Sequence, residues 1–464
     1  MEREAFMSYD FRQMFAPMAK WVAQIDDASR IPEFVQRAFH LAMSGRKGPV
    51  VLVLPEDVLE EEHAVADANP AILATSGAPS SRDMDRLFVL LRGAERPLMI
   101  VGGSGWTDVA RDSVQRFVER NDMPVVTTFR RRDIIDNRHR CYGGEIGIGS
   151  NPALLGCIKE SDLVLVLNDS LSDVNTIGQG YMEGFTLFEV PMPRQALIHV
   201  HSAIEELNRV YQADLAIVSE SAIFADTLAA HEPIPNARWH GWTAQLRGLY
   251  EEDYATSACV GPIDLPHVFK WLRERLPDDA IVTNGVGAYA GWSQRYFQHY
   301  RLHTQLGPIS GAMGYGVPAA ICAKLLYPER VVVAVAGDGC FLMTSDELAT
   351  AAKYNVAIIV LVINNNMYGT IRIHQENRFG GRAVGTALVN PDFVMYARAF
   401  GMQGERVLRT DEFAPAFERC MASGRPALIE LRIDPDAIHT RYSLSVLQAR
   451  RAARSREPDN EGSP

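Results

Sequence analysis

The chain reads as an α/β protein built on doubly wound parallel sheets, and two stretches predict it. The first is Val331–Thr370, with apolar runs at Val331–Ala336 and Ala357–Ile363. Both runs are too short for helices and rich in β-branched residues, the mark of strands buried on both faces. A helical pattern over 345–354 separates them, opened by Thr344 and Glu347 at the spacing of a capping box. Strand, helix and strand in that order form a right-handed crossover. The second stretch is 83–233. Candidate strands at Leu98–Val101, Pro124–Thr128, Leu163–Leu167, Leu197–His201 and Leu215–Val218 alternate there with candidate helices near 83–93, 107–121 and 203–210. That alternation predicts a second sheet with helices on its faces.

Taken in order, residues 1–60 read as the end of a domain. Ile31–Ser44 has helical periodicity, with Phe34, Ala38, Leu41 and Ala42 on one side, and Val50–Leu54 is a strand closed by Pro55. One helix and one strand cannot bury their own apolar faces as an independent unit. Residues 61–82 turn acidic and then Ala/Ser/Pro-rich, a linker composition. The central domain follows over 83–233, then a connector over 234–262 with a partly helical middle. In 263–440, Asp264–Leu276, Pro391–Phe400 and Glu412–Ala422 predict helices, and Ala280–Thr283 and Ala427–Ile433 predict strands. From Arg441 the chain is rich in Arg, Ser and Glu, and 441–464 reads as a disordered tail.

At 464 residues the length suggests about three domains, and 47% hydrophobic content fits a well-cored globular protein. A formal charge of −11 argues against a nucleic-acid binder. The 6 cysteines are scattered without a Cys-x-x-Cys and read as reduced, unpaired and cytoplasmic. No apolar run approaches a membrane span, and no signal-peptide pattern opens the chain. His139, His199 and His201 lack metal-ligand spacing and read as structural. Arg130–Arg132 could hold an anion, but Asp133 beside it favours a solvated loop.

In open parallel sheets ligands bind beyond the carboxyl ends of the strands. The two runs of the first stretch end in Gly337-Asp338-Gly339 and Asn364-Asn365-Asn366. Asp338 offers a carboxylate oxygen, Asn365 an amide oxygen and Met367 a backbone carbonyl, the oxygen set that Mg²⁺ takes when phosphate and water complete its octahedron. Gly337 and Gly339 would let the backbone approach phosphate. The N–H groups of Gly339 and Cys340 lead toward a helix start, where anions are favoured. A plain strand–helix–strand unit with a Gly-rich turn and an Asn-rich loop is the blander reading. Both motifs standing on two strand ends argue against it. Cys340 reads as a small packing residue.

Gly-Asp-Gly, then helix, strand and Asn-Asn, with Asn365 lying 27 positions after Asp338 (365 − 338), resembles the signature of the thiamine diphosphate-dependent enzymes. The surrounding text is closest to their acetolactate synthase-like group, of the large-subunit type. Two further stretches match in family order: Gly311–Ala320, GAMGYGVPAA, and Thr283–Trp292, TNGVGAYAGW. The resemblance implies a thiamine diphosphate-binding fold beside a Rossmann-like central domain. It implies Met313 as the prop that bends the cofactor and Gly311 as the acceptor for its aminopyrimidine. Gly287, Ala288 and Tyr289 would touch the diphosphate from the other side. Tyr368 and Gly369 would open a segment, Tyr368–Arg378, that covers the cofactor, with His374 and Gln375 either contacting substrate or lying at the surface.

The same resemblance implies thiamine diphosphate and Mg²⁺ as cofactors and a small 2-oxo acid as substrate. It implies decarboxylation with transfer or release of the two-carbon fragment, a place in branched-chain amino acid biosynthesis, and a homodimer or homotetramer. FAD, structural in some relatives, is disfavoured. Asn168-Asp169-Ser170 stands where flavin-binding relatives carry a Gly-x-Arg, and His201 replaces their acidic residue. Gly102-Gly103-Ser104 alone is weak support for a phosphate site. The first 60 residues resemble only the last part of the family's pyrimidine-binding domain. The Glu that protonates the aminopyrimidine ring, ordinarily from a partner subunit, has no replacement here; Glu33 and Glu56 read as solvent-facing. The chain is therefore expected to be impaired as a catalyst, or to be a non-catalytic cofactor-binding protein. A nicotinamide-type oxidoreductase is disfavoured because no Gly-x-Gly-x-x-Gly opens a strand–helix unit with a distal acid.

Overall fold

The computed structural model describes residues 9–66, 76–178, 183–235, 237–256 and 259–454. Strands β1 (Trp21–Gln24) and β2 (Val50–Val53) form a small parallel pair. The central strands are β3 (Pro97–Val101), β4 (Val125–Thr127), β5 (Tyr142–Glu145), β6 (Leu163–Leu167), β7 (Ala196–His201) and β8 (Leu215–Val218). They lie in the order β5-β4-β3-β6-β7-β8, all parallel. The C-terminal strands are β9 (Ile281–Asn284), β10 (Gln305–Leu306), β11 (Val332–Gly337), β12 (Ile359–Asn364), β13 (Gln403–Val407) and β14 (Ala427–Arg432). Their order is β10-β9-β11-β12-β14-β13, again all parallel. The expected α/β class with doubly wound parallel sheets is what the protein has.

Every residue of β11 and of β12 is buried, as their unbroken apolar runs require. The chain leaves β9 outward to β10 and returns on the other side of β9 to β11. That reversal opens a crevice between the carboxyl ends of β9 and β11, the usual ligand position in such sheets. β5 and β13, which periodicity does not reveal, are edge strands rich in Gly or charge. β1 is likewise a short addition to the expected elements.

Other expectations are corrected. Thr344 and Glu347 form no capping box. The Thr344 hydroxyl donates to the Gly314 carbonyl at 2.7 Å, and Glu347 accepts from the Thr350 hydroxyl at 2.8 Å. The intervening helix splits into a 3-10 turn, Ser345–Glu347, and a short helix, Leu348–Lys353. The helix expected near 203–210 is a single 3-10 turn, Ile204–Glu206, followed by Asn208 at φ +58°. Arg130–Arg132 is no solvated loop: Arg130 and Arg132 are 6% and 5% exposed, and Asp133 accepts from the His303 N–H. The loop is wedged between the central and C-terminal sheets, where Arg132 donates to the carbonyls of Ser293 and Phe297.

Within the expected tail, Leu444–Arg454 is a helix packed on the helix Gly369–Arg378. Ile373, Ile438 and Leu447 are buried together there. Glu376, 1% exposed, accepts from Arg372, Gln448 and Arg451. Charge-rich composition masked a stripe of Leu444 and Leu447 that this contact buries. The rest of the tail, 455–464, and residues 67–75 of the expected linker lie outside the described residues.

Candidate cofactor site

The loops that follow β9, β11 and β12 meet around a cavity of about 250 Å³. Gly287, Ala288 and Tyr289 line it from the β9 side. Gly311 and Met313 line it from the loop between β10 and the helix Gly316–Leu326. Gly337, Asp338, Gly339 and Cys340 form the end of β11. Asn365, Met367, Tyr368 and Gly369 close it from the end of β12. The structure thus gathers every residue singled out for cofactor contact at one place. His374 and Gln375 do not line this cavity; Gln375 is tied to Val384 by two hydrogen bonds.

Asp338 is 3% exposed and held on several sides. Its Oδ1 accepts from the Gly339 N–H at 2.9 Å, and its Oδ2 accepts from the Asn390 amide at 2.8 Å. Burial pushes its carboxyl above the usual range, while the hydrogen bond from Asn390 and those from the backbone of Gly339, Asn366 and Met367 pull it back. The Gly339 N–H is therefore engaged by Asp338 and does not simply point along a helix start. The Asn triplet divides its labour. Asn364 is turned away, its amide donating to the buried Glu430 at 2.8 Å. Asn365 lines the cavity. Asn366 takes the left-handed conformation, φ +55°, that turns the chain.

The glycines beside Asp338 serve the packing of two aromatic rings. A Cβ at Gly337 would stand 2.5 Å from the Tyr289 ring, and one at Gly339 would stand 2.4 Å from the Tyr368 ring. Gly311, at φ +78° with open space where a side chain would project, leaves a hollow at the cavity wall. Cys340 is the packing residue expected: its Sγ accepts from the Tyr289 hydroxyl at 3.2 Å and from the Gly314 N–H at 3.3 Å. This thiol therefore ties together all three matching stretches.

Among the described residues no three His, Cys, Asp or Glu side chains gather at a point. The donor set here is one carboxylate, one amide and backbone carbonyls. Such a set suits a hard cation that arrives with phosphate oxygens, and not a cation caged by protein alone. The residues present fit a magnesium diphosphate. On the central sheet, Gly102 and Gly103 pack against protein. A Cβ at Gly102 would lie 2.2 Å from Thr128 Oγ1, and one at Gly103 would lie 1.9 Å from the Asn168 carbonyl. Those glycines pack the loop after β3 flush against the loop after β6, where the buried Asp169 accepts from Asn175 at 2.9 Å.

Sequence reading missed two contributors. Asn390 stands in an unremarkable Val-Asn-Pro-Asp segment, and nothing local to it signals the contact with Asp338. Arg130 was visible as a basic residue, but its burial depends on how the two sheets meet.

Comparison with known proteins places the same segments. Residues 285–431 match the family described as thiamine pyrophosphate enzyme, C-terminal TPP binding domain, and residues 84–228 match its central domain. The chain is 27% identical over 437 residues to the acetolactate synthase isozyme 2 large subunit of Escherichia coli, covering 93% of this chain and 76% of that protein. It is 29% identical over 453 residues to the acetolactate synthase large subunit of Corynebacterium glutamicum, covering 94% of this chain and 70% of the relative. A probable acetolactate synthase large subunit of Methanocaldococcus jannaschii is 28% identical, over 93% of this chain and 74% of its own length.

Proposed function

Because this chain belongs to the thiamine pyrophosphate enzyme family, among its acetolactate synthase-like members, we propose that it binds thiamine diphosphate with Mg²⁺ and takes a small 2-oxo acid as substrate. One observation carries this reading: the three matching stretches converge on a single cavity at the switch point of the C-terminal sheet, with a buried carboxylate on its wall. Asp338, Asn365 and the Met367 carbonyl would hold the cation. Gly287, Ala288, Tyr289 and Gly369 would hold the diphosphate, and Gly311 and Met313 the rings. When bound, the cofactor supplies the electron sink for decarboxylation of the 2-oxo acid. FAD has no part in this reading, since Asn168 and Asp169 fill the approach to Gly102 and Gly103.

Asp338 is the one carboxylate among the residues lining the cavity, and this reading assigns it to the cation. The proton that activates the cofactor must then come from elsewhere, so we propose that turnover by these 464 residues alone is weak. An oligomer fits this need, and the relatives are named as large subunits. The exposed apolar side chain of Ile371, which lines the cavity, fits the same requirement. A cytoplasmic protein suits the 6 unpaired cysteines.

Turnover of pyruvate with added thiamine diphosphate and Mg²⁺, read beside a binding titration, is the test. Metal-dependent binding with slow product formation is expected. Absence of cofactor binding would reject the proposal.

A further inference from the structure

A second, larger cavity of about 740 Å³ lies between the central and C-terminal sheets. It shares Val286, Gly287, Ala288, Gly311 and Thr370 with the cofactor cavity, so the two adjoin along that wall. Its size is that of a small-molecule site. Most of its charged side chains are ion-paired, although five cations (Arg130, Arg132, Lys159, Arg295, Arg441) face two carboxylates (Glu145, Asp253). Arg132 faces Glu145 at 3.6 Å, and Arg295 and Arg441 reach Asp253 at 3.0 and 2.6 Å. Lys159 lies exposed at the edge.

Arg130 is the exception. It lines the cavity at 6% exposure, and among the described residues no carboxylate lies within ion-pair distance of its guanidinium. Its two terminal nitrogens donate to the carbonyls of Pro308 and Gly285, the latter at 2.9 Å. Those carbonyls belong to the loops that carry Gly311 and Gly287, two residues that line both cavities, while Arg130 itself lines the larger one. A guanidinium has five N–H donors, and these two bonds leave three. Glu145 accepts from the Arg130 backbone N–H and acts on its charge from beyond ion-pair distance, but its carboxylate faces Arg132, so the buried Arg130 guanidinium lacks a counter-ion in contact, a costly state. Arg130 also holds φ +61°, a left-handed conformation disfavoured for a side-chain-bearing residue and concentrated at functional sites.

We propose that Arg130 is the recognition residue for the carboxylate of the 2-oxo acid, and that the larger cavity is the chamber from which this substrate meets the cofactor. This rests on the thiamine diphosphate reading of the neighbouring site. The planar fork of an arginine suits a carboxylate better than a lysine ammonium does. The carboxylate supplies the counter-charge that the protein leaves out.

The test is ligand-observed NMR with pyruvate on the full chain saturated with thiamine diphosphate and Mg²⁺, comparing wild type, Arg130→Met and Arg130→Lys. Methyl pyruvate serves as the uncharged control, and calorimetry gives the thiamine diphosphate affinity of each variant. Loss of one charge-assisted pair weakens binding about 10-fold or more. Pyruvate affinity should fall by that factor in Arg130→Met and by less in Arg130→Lys, with methyl pyruvate and thiamine diphosphate affinities within about threefold of wild type. Unchanged pyruvate affinity in Arg130→Met would overturn the assignment. Equal losses of pyruvate and thiamine diphosphate affinity would also overturn it, marking Arg130 as a brace for the two loops only. A wild-type chain that binds thiamine diphosphate but not pyruvate overturns this inference alone. One that fails to bind thiamine diphosphate removes the functional reading and this inference with it.

Discussion

The side-chain amide of Asn390 donates to Oδ2 of Asp338 at 2.8 Å, across 52 residues of chain. The same nitrogen lies 3.0 Å from Asn364 Oδ1 and 3.1 Å from Asn366 Oδ1. One amide therefore ties the ends of β11 and β12 together behind the proposed cation. Its own Oδ1 is buried without a partner among the described residues. A hydrogen bond to a charged group contributes about 1.5–3 kcal/mol. Asn390→Ala should therefore weaken Mg²⁺-dependent binding of thiamine diphosphate about 10-fold by calorimetry. An unchanged affinity would show that Asp338 keeps its orientation without this support.

Much of the fold is legible because β11 and β12 are unbroken apolar runs, and burial on both faces leaves no other reading for them. Asp338 and Asn365 are legible for a related reason: polar residues directly after such runs have a fixed place in a parallel sheet. Asn390 and Arg130 are not legible, because each acts through a contact between distant segments. β13 escapes because Glu405 and Arg406 on an edge strand look like loop. Leu444–Arg454 escapes because two leucines among many charges suffice once Ile373 and Ile438 offer a surface.

Gly103 tests the packing of the loop after β3 against the loop after β6. It adopts φ +65°, and an added Cβ would fall 1.9 Å from the Asn168 carbonyl. Gly103→Ala should lower unfolding stability by about 2 kcal/mol or more in urea titrations. Stability equal to wild type would mean the loops after β3 and β6 part easily.

His199 sets a pH dependence. Its Nε2 donates to the Asp169 carbonyl at 2.8 Å, and burial pushes the ring down from 6.5 to about 4. The unfolded chain takes up this proton first as pH falls. The contribution is thus fully present above about pH 6.5 and is lost progressively toward pH 4, by roughly 3 kcal/mol in all. His199→Gln should reduce the stability lost between pH 7 and pH 5 in urea titrations. An identical loss in the variant would place the acid sensitivity elsewhere.

Leu447 tests the C-terminal helix as a buttress of the segment that covers the cofactor cavity. At 7% exposure it packs with Ile373 and Ile438. Leu447→Ala should cost about 2 kcal/mol locally and speed amide exchange in Gly369–Arg378. Exchange unchanged in that helix would show that the contact is incidental.

The most direct measurement is a calorimetric titration of the full chain with thiamine diphosphate, run with Mg²⁺, run with a chelator, and repeated on Asp338→Ala. Saturable binding that disappears both on chelation and in the variant is expected if Asp338 anchors the cation that holds the diphosphate. Binding of equal strength in Asp338→Ala, or in the chelated sample, would contradict it.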